Sequence, residues 1–273
     1  MLNSLLLTGS LICYLSATVL IARYIRVNSD QVGNKQPLTI ASFIALIGVI
    51  AHLVYSYNIS FIDQTLNFST HSMMVLISAV LVSIYLLASL LMPIRRLGVL
   101  VFPLVILSLL FALLWDSSKI INLNASIYLT AHILISILAY SLLTIATVQS
   151  LLYLFQERQI KQRTKPTMLL ALPPLQTMEQ LLFRLISVGF IFLTLTLFSG
   201  AIFSQEIFGQ AFVFKHHTIL AFLGWIMFAI VLFKRFRQGI RGSQAVILIC
   251  VGFLLIQLGY FGTKIVSESI ALN

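Results

Sequence analysis

Charge is what this chain has least of. Only 9% of its 273 residues are Asp, Glu, Lys or Arg, against roughly a quarter in soluble domains, and that excludes water as the main solvent. Acidic residues are scarcer still: all seven fall near or outside the ends of apolar runs. A carboxylate relay through a membrane therefore lacks its parts. The absence of paired Gly/Pro-interrupted spans likewise disfavours a small-solute transporter. The two cysteines, Cys13 and Cys250, stand singly inside apolar runs without CxxC spacing, so they read as small buried apolar residues rather than a disulfide or metal site. There is no Walker loop, no GxGxxG opening a helix, no GxSxG and no HExxH. Phosphoryl transfer and hydrolysis lose their usual machinery with them. No basic segment precedes the first apolar run, and Arg23 and Arg26 follow it, so that run reads as a membrane helix and not a cleaved signal.

What is present is apolar: 60% of the residues, with a mean hydropathy of +1.05. Runs long enough to cross a core of about 30 Å occur at 3–23, 38–57, 73–93, 97–115, 129–155, 183–204, 216–234 and 243–264. Lipid offers a bare backbone no hydrogen-bond partner, and continuous runs lack the alternation of barrel strands. The expected fold is all-α, a polytopic membrane bundle of eight transmembrane helices. It forms a single membrane domain over 1–273, and no gap is long enough for a second. The prolines of Leu172-Pro173-Pro174-Leu175 break the chain before the sixth span, and Gln176 or Thr177 is placed to start its lead-in.

The net charge of +10 resides in the gaps between runs rather than on one stripe, which makes it a topology signal and not a nucleic-acid footprint. Arg23, Arg26, Lys35, Arg95, Arg96, Arg158, Lys161, Arg163, Lys165, Arg184, Lys234, Arg235, Arg237 and Arg241 share one side of an eight-span threading. Only Lys119, Lys215 and Lys264 occupy the other. The positive-inside rule puts the first group in the cytoplasm and both termini outside.

Histidine carries the remaining chemistry. His52 lies about 14 residues into its span, roughly 21 Å from the cytoplasmic end. His132 is just inside the outer end of the fifth span, and His216 and His217 open the seventh. Three helices thus bring imidazoles to one depth, and ionisable groups inside a membrane are functional suspects by default. Two facing imidazoles can ligate a haem iron. Ser136 and Tyr140 continue the His132 stripe, while Tyr55 and Trp225 supply aromatic surface. The depth argument selects His52 and His132 as the axial pair, because an imidazole away from water needs a partner for each nitrogen. His217, at the boundary, is the reserve ligand. His71, between Thr70 and Ser72, reads as a solvated loop residue. Arg184, Arg241-Gly242 and Trp115-Asp116 read as interface anchors.

Further residues carry a resemblance. They run in order from His132-Ile133-Leu134-Ile135-Ser136 and Ala139-Tyr140, through Leu172-Pro173-Pro174-Leu175 with Glu179, Gly189, Leu193-Thr194-Leu195 and Ser199-Gly200. Lys215-His216-His217-Thr218, Trp225, Gly239-Ile240-Arg241-Gly242-Ser243-Gln244-Ala245, Gly252-Phe253 and Tyr260-Phe261-Gly262 follow. Over residues 129–268 this resembles the cytochrome c assembly family of haem-handling membrane proteins, the CcsA, CcmC and HemX group, and most nearly its YpjD-type branch of the bacterial inner membrane. Residues 1–128 fit by span count and by His52. The resemblance implies that His132 is the haem-facing histidine at the outer end of a helix and that His52 matches a transmembrane histidine of the branch.

The tryptophan-rich external motif of the haem-transferring members is missing from 205–215, and Phe233 stands where those members carry a further histidine. The implied role is therefore a binder of haem b acting as an assembly accessory or sensor, not a haem lyase and not an enzyme. His52, His132, His217, Tyr140 and Trp225 would hold the cofactor, with other inner-membrane assembly proteins as partners and no nucleic acid. The competing reading is a scaffold of another inner-membrane complex, docking through the basic loop 156–182, with purely structural histidines. Cysteines introduced beside Lys35, Lys165 and Arg237 should react with an impermeant maleimide only after the cytoplasmic face is opened. Labelling of any of them in intact cells would break the eight-span threading.

Overall fold

The computed structural model describes residues 1–27, 36–62, 65–91, 94–114, 120–122, 127–162, 173–208, 216–262 and 265. Among these, eight helices are long and apolar enough to cross a membrane. They are α1 (Leu2–Val27), α2 (Gln36–Ser60), α3 (Thr70–Leu91), α4 (Gly98–Ala112), α5 (Ile127–Lys161), α6 (Leu175–Phe208), α7 (His216–Gln238) and α8 (Gly242–Gln257). A 3₁₀ turn, Arg95–Leu97, leads into α4, and a π turn, Leu258–Gly262, prolongs α8. Large side chains such as Phe43, Leu90, Phe198 and Phe236 point outward on all sides, the inverse of a water-facing surface and the pattern that lipid requires.

The helices form two rings of four. In the first, α1 packs on α2, α2 on α3, α3 on α4, and α4 back on α1. In the second, α5 packs on α6, α6 on α7, α7 on α8, and α8 back on α5. The seam between them is chiefly α3 against α5. At the outer end of this seam Met73 and Ile77 of α3 meet Ile133 and Ile137 of α5 in one apolar cluster.

That cluster is capped by an element with no counterpart in the apolar-run pattern. Three short antiparallel strands, β1 (Phe61–Ile62), β2 (Thr65–Asn67) and β3 (Ile120–Asn122), pair in the order β1-β2-β3, with Leu66 opposite Ile121. The middle strand buries Leu66 in the seam cluster. The two outer loops 58–72 and 116–128 are therefore bound together rather than independent.

The sixth span starts earlier than its apolar run. Pro173 and Pro174 stop the preceding chain, and α6 then runs unbroken for 34 residues from Leu175. The polar lead-in stays helical because its charge is matched: Glu179, buried on α6, pairs with Arg235 of α7 and, at 3.2 Å, with Arg241. Arg241, still largely exposed, thus reaches back to a buried carboxylate as well as facing outward. Beside it Gly242 takes a φ of +63°. A Cβ there would also stand 2.7 Å from the Glu157 carboxylate, a flexible side-chain end that can give way, so it is the positive φ that favours glycine. Trp115, Asp116, Lys35, Arg163, Lys165, Lys119, Lys215 and Lys264 lie outside the described residues.

Near the middle of the second ring α7 and α8 cross closely. A Cβ on Gly224 would lie 2.5 Å from Ile256 Cγ1 and 2.9 Å from the backbone oxygen of Gly252. Small residues at such crossings let membrane helices approach backbone to backbone. Gly224→Ala should force the pair apart and destabilise the protein by about 1–3 kcal/mol, seen as a lower thermal midpoint in detergent; an unchanged melt would show that the crossing has slack.

Candidate functional site at the outer end of the second ring

In a membrane-buried hydrogen-bond network, each proton can be traced, because a hydroxyl has one hydrogen and a neutral imidazole has one N–H and one lone pair. That accounting separates the histidines.

His52 is fully buried within the first ring. Its Nδ1 meets the Tyr14 hydroxyl at 3.1 Å and its Nε2 meets Ser78 Oγ at 3.4 Å. Ser78 already donates its own hydrogen to the Val75 carbonyl at 3.0 Å. Nε2–H must therefore donate to Ser78, and Nδ1 accepts from Tyr14. Tyr14 also stacks on Phe102 of α4, so the imidazole ties α1, α2 and α3 together above an aromatic floor. Both nitrogens are in use, and no lone pair remains for a metal.

His71 is likewise engaged. It lies in the first turn of α3, half-buried, with Nδ1 donating to the Ala112 carbonyl of α4 at 2.9 Å and Nε2 accepting from the Tyr55 hydroxyl of α2 at 3.3 Å. The expected solvated loop residue is instead a clasp across three helices. Ser69-Thr70-His71-Ser72 looked like a loop because it is polar, but its polarity serves the helix start: Ser69 Oγ accepts from the Ser72 backbone N–H at 3.1 Å.

His132 is arranged differently. Its Nδ1 lies 3.0 Å from Ser199 Oγ on α6, and Ser199 donates its hydrogen to the Thr196 carbonyl at 3.1 Å. Nδ1 therefore carries the proton and donates to Ser199, which makes Nε2 the lone-pair nitrogen. The next residue, Gly200, faces the same ring: a Cβ there would sit 3.1 Å from His132 Cε1. One turn of α6 thus supplies both an oxygen that selects the tautomer and a missing side chain that lets the ring approach.

His217, exposed at the outer end of α7, is within electrostatic reach of His132. Its turn is held by the π turn of α8, where a Cβ on Gly259 would stand 3.2 Å from the His217 carbonyl. Tyr140 supports that turn from α5: its hydroxyl donates to the Ile256 carbonyl at 3.0 Å, and its ring packs on Tyr260 and Phe261. π turns recur at functional sites. Trp225 stacks with Phe190 and Phe222 and donates to Thr194 Oγ1 at 2.9 Å. It lies two turns inward of His217. The side chain of His216 lies outside the described structure.

The structure brings His132 and His217 to one end of the second ring and does not bring His52 to them. Depth along the helices is similar, but α3 stands between α2 and α5. Ser199 and Gly200 were part of the resemblance pattern without a role, and their Ser-Gly adjacency opposite a span-end histidine was the available signal. No group of three or more His, Cys, Asp or Glu gathers among the described residues. A bare ion would lack ligands here, whereas a porphyrin brings four nitrogens of its own and needs only imidazoles.

Fold and site together define a polytopic helical membrane protein with a histidine site at one end of a four-helix ring. The chain belongs to the cytochrome c assembly protein family, whose profile matches residues 37–271 and so takes in α2 to α4 as well as the second ring. It is 28% identical over 181 residues to inner membrane protein YpjD of Escherichia coli strain K12, covering 65% of this chain and 68% of that one. It is also 28% identical over 155 residues to the cytochrome c biogenesis protein CcsA of Chlamydomonas reinhardtii, covering 57% of this chain and 43% of that protein. Against CcsA of Spinacia oleracea the identity is 34% over 116 residues, 41% of this chain and 36% of the relative. The chain thus spans less than half the length of these CcsA proteins. With its eight membrane-length helices and this kinship, it is a multi-pass inner-membrane protein.

The proton assignments can be checked with no ligand present. In ¹⁵N-histidine-labelled protein, His52 should show the Nε2–H tautomer and His132 the Nδ1–H tautomer, with Ser199→Ala randomising only the latter. The same tautomer at both positions would contradict the network.

Proposed function

We propose that the chain binds haem b at the outer end of the second ring, through His132 and with His217 as the second imidazole, and acts as a haem-handling accessory or sensor in cytochrome c assembly. The observation that carries this reading is the His132–Ser199 hydrogen bond, which fixes the imidazole through Nδ1 while Gly200 makes room for the ring. Orienting a ligand imidazole through its other nitrogen is the usual second-shell device of metal histidines. The donor set, neutral imidazoles without a carboxylate, suits haem iron. Bound there, haem would supply a redox-active iron and a flat apolar face. The chain's own work is to fix the imidazole, hold the π turn through Tyr140 and exclude water with Leu66 and the outer sheet.

His52 gives way to His217 in this proposal because Tyr14 and Ser78 occupy both its nitrogens. The family supports haem handling in cytochrome c biogenesis. The missing tryptophan-rich motif in 205–215 favours an accessory without enzymatic activity, partnered by other inner-membrane assembly proteins. The histidines of the first ring are structural, as the scaffold reading has it for all of them; those of the second ring are where the two readings part.

Protein purified from haem-replete cells should show a Soret band. His132→Ala should abolish it, His217→Ala should abolish it or leave a five-coordinate spectrum, and His52→Ala should keep the spectrum while lowering the thermal midpoint. The chain alone should attach no haem covalently to an apocytochrome. An unaltered six-coordinate spectrum in both His132→Ala and His217→Ala would refute the assignment, and colourless wild-type protein would favour the scaffold.

A further inference from the structure

Two glutamines on one stripe of α5 carry a pattern that helix packing alone does not explain. Gln149 and Gln156 are two turns apart and face the start of α6. Gln149 Nε2 donates to the Met178 carbonyl at 3.2 Å, and Gln156 Nε2 donates to the Pro173 carbonyl at 3.0 Å. With each nitrogen so placed, Oε1 is the atom left over. Both oxygens are buried, and neither accepts a hydrogen bond from any described group. A buried acceptor left unmet costs about 1–3 kcal/mol, so a donor from outside the chain has a reason to come in.

Gln149, only 1% exposed, lines a cavity of about 150 Å³. The cavity lies between the turn at Ile94 and Leu97, α5, and the first turns of α6, with Arg184 on its wall. A cavity of about this volume holds a group of six heavy atoms such as benzene. No Asp or Glu lines it, so a buried ammonium would lack compensation, whereas a hydroxyl would not need any. Arg184 is exposed and forms no ion pair among the described residues. The charge distribution puts this end of the bundle in the cytoplasm, against an anionic leaflet.

We propose that this cavity is a binding site for the glycerol headgroup of phosphatidylglycerol. A headgroup hydroxyl donates to Gln149 Oε1, and the phosphodiester lies against Arg184. Free glycerol phosphate offers the same polar groups, but Ile94, Leu97 and Leu181 in the lining favour a source that brings acyl chains.

The full chain, delipidated and placed in phosphatidylcholine nanodiscs with equal minor fractions of phosphatidylglycerol and phosphatidylethanolamine, can be read by native mass spectrometry. Wild type should retain phosphatidylglycerol about tenfold over phosphatidylethanolamine, the scale of leaving one buried acceptor, Gln149 Oε1, unmet. Gln149→Leu should bring the ratio near one, while Arg184→Gln should weaken retention of both lipids, which share the phosphodiester, and Arg184→Lys should keep most of it. No preference in the wild type, or one that survives Gln149→Leu, overturns the site. Full displacement of the lipid by glycerol 3-phosphate assigns the cavity to a soluble phosphate ester and overturns the lipid source. Should Gln149→Leu fail to fold, Arg184→Gln, on an exposed position, decides instead: unchanged retention of phosphatidylglycerol overturns the site.

Discussion

A polar group inside lipid must find its partner inside the protein, and the whole of this structure follows from that constraint. It makes every span a helix. It turns the span hydroxyls back on their own chain, as Ser78 does to Val75, Thr147 to Leu143 and Ser199 to Thr196. Because those hydrogens are already committed, each serine can only accept from the histidine it meets. The same residue type therefore imposes opposite protonation on His52 and His132, since Ser78 meets Nε2 of one and Ser199 meets Nδ1 of the other. The difference is completed by Tyr14, which donates to the remaining nitrogen of His52.

The spans were legible in the sequence because a continuous apolar run of membrane length has few alternative readings. Their limits were less so. Hydropathy ends where polar residues begin, yet α6 continues into a polar stretch because Glu179 finds Arg235 and Arg241, residues distant in sequence. The outer sheet was invisible for a different reason: strands of two and three residues carry no periodicity, and their pairing joins loops more than fifty residues apart.

Among the site residues, depth could be read and direction could not. Counting along helices places His52 and His132 at one level. Whether they face each other depends on which helices are neighbours, and α3 intervenes. His132 and His217 come to the same end of the bundle because α5, α6, α7 and α8 close a ring, a fact carried by packing and not by spacing. Ser199-Gly200 shows the same limit: the pair was visible as part of a family-like pattern, but its use requires knowing that His132 lies across from it.

The two rings handle an imidazole within the bundle in contrasting ways. In the first ring His52 lies among Tyr14, Phe102 and Ser78, saturated and sealed, and contributes to holding α1, α2 and α3 in place. In the second, glycines let neighbouring elements come close. Gly200 opens space against His132, Gly224 and Gly252 draw α7 and α8 together, and Gly259 brings the π turn onto the His217 carbonyl. Each of these glycines stands where a Cβ would meet a neighbouring element at 3.2 Å or less. Two of them, Gly200 and Gly259, place that close approach against His132 and His217, the imidazoles that the proposed ligand would need.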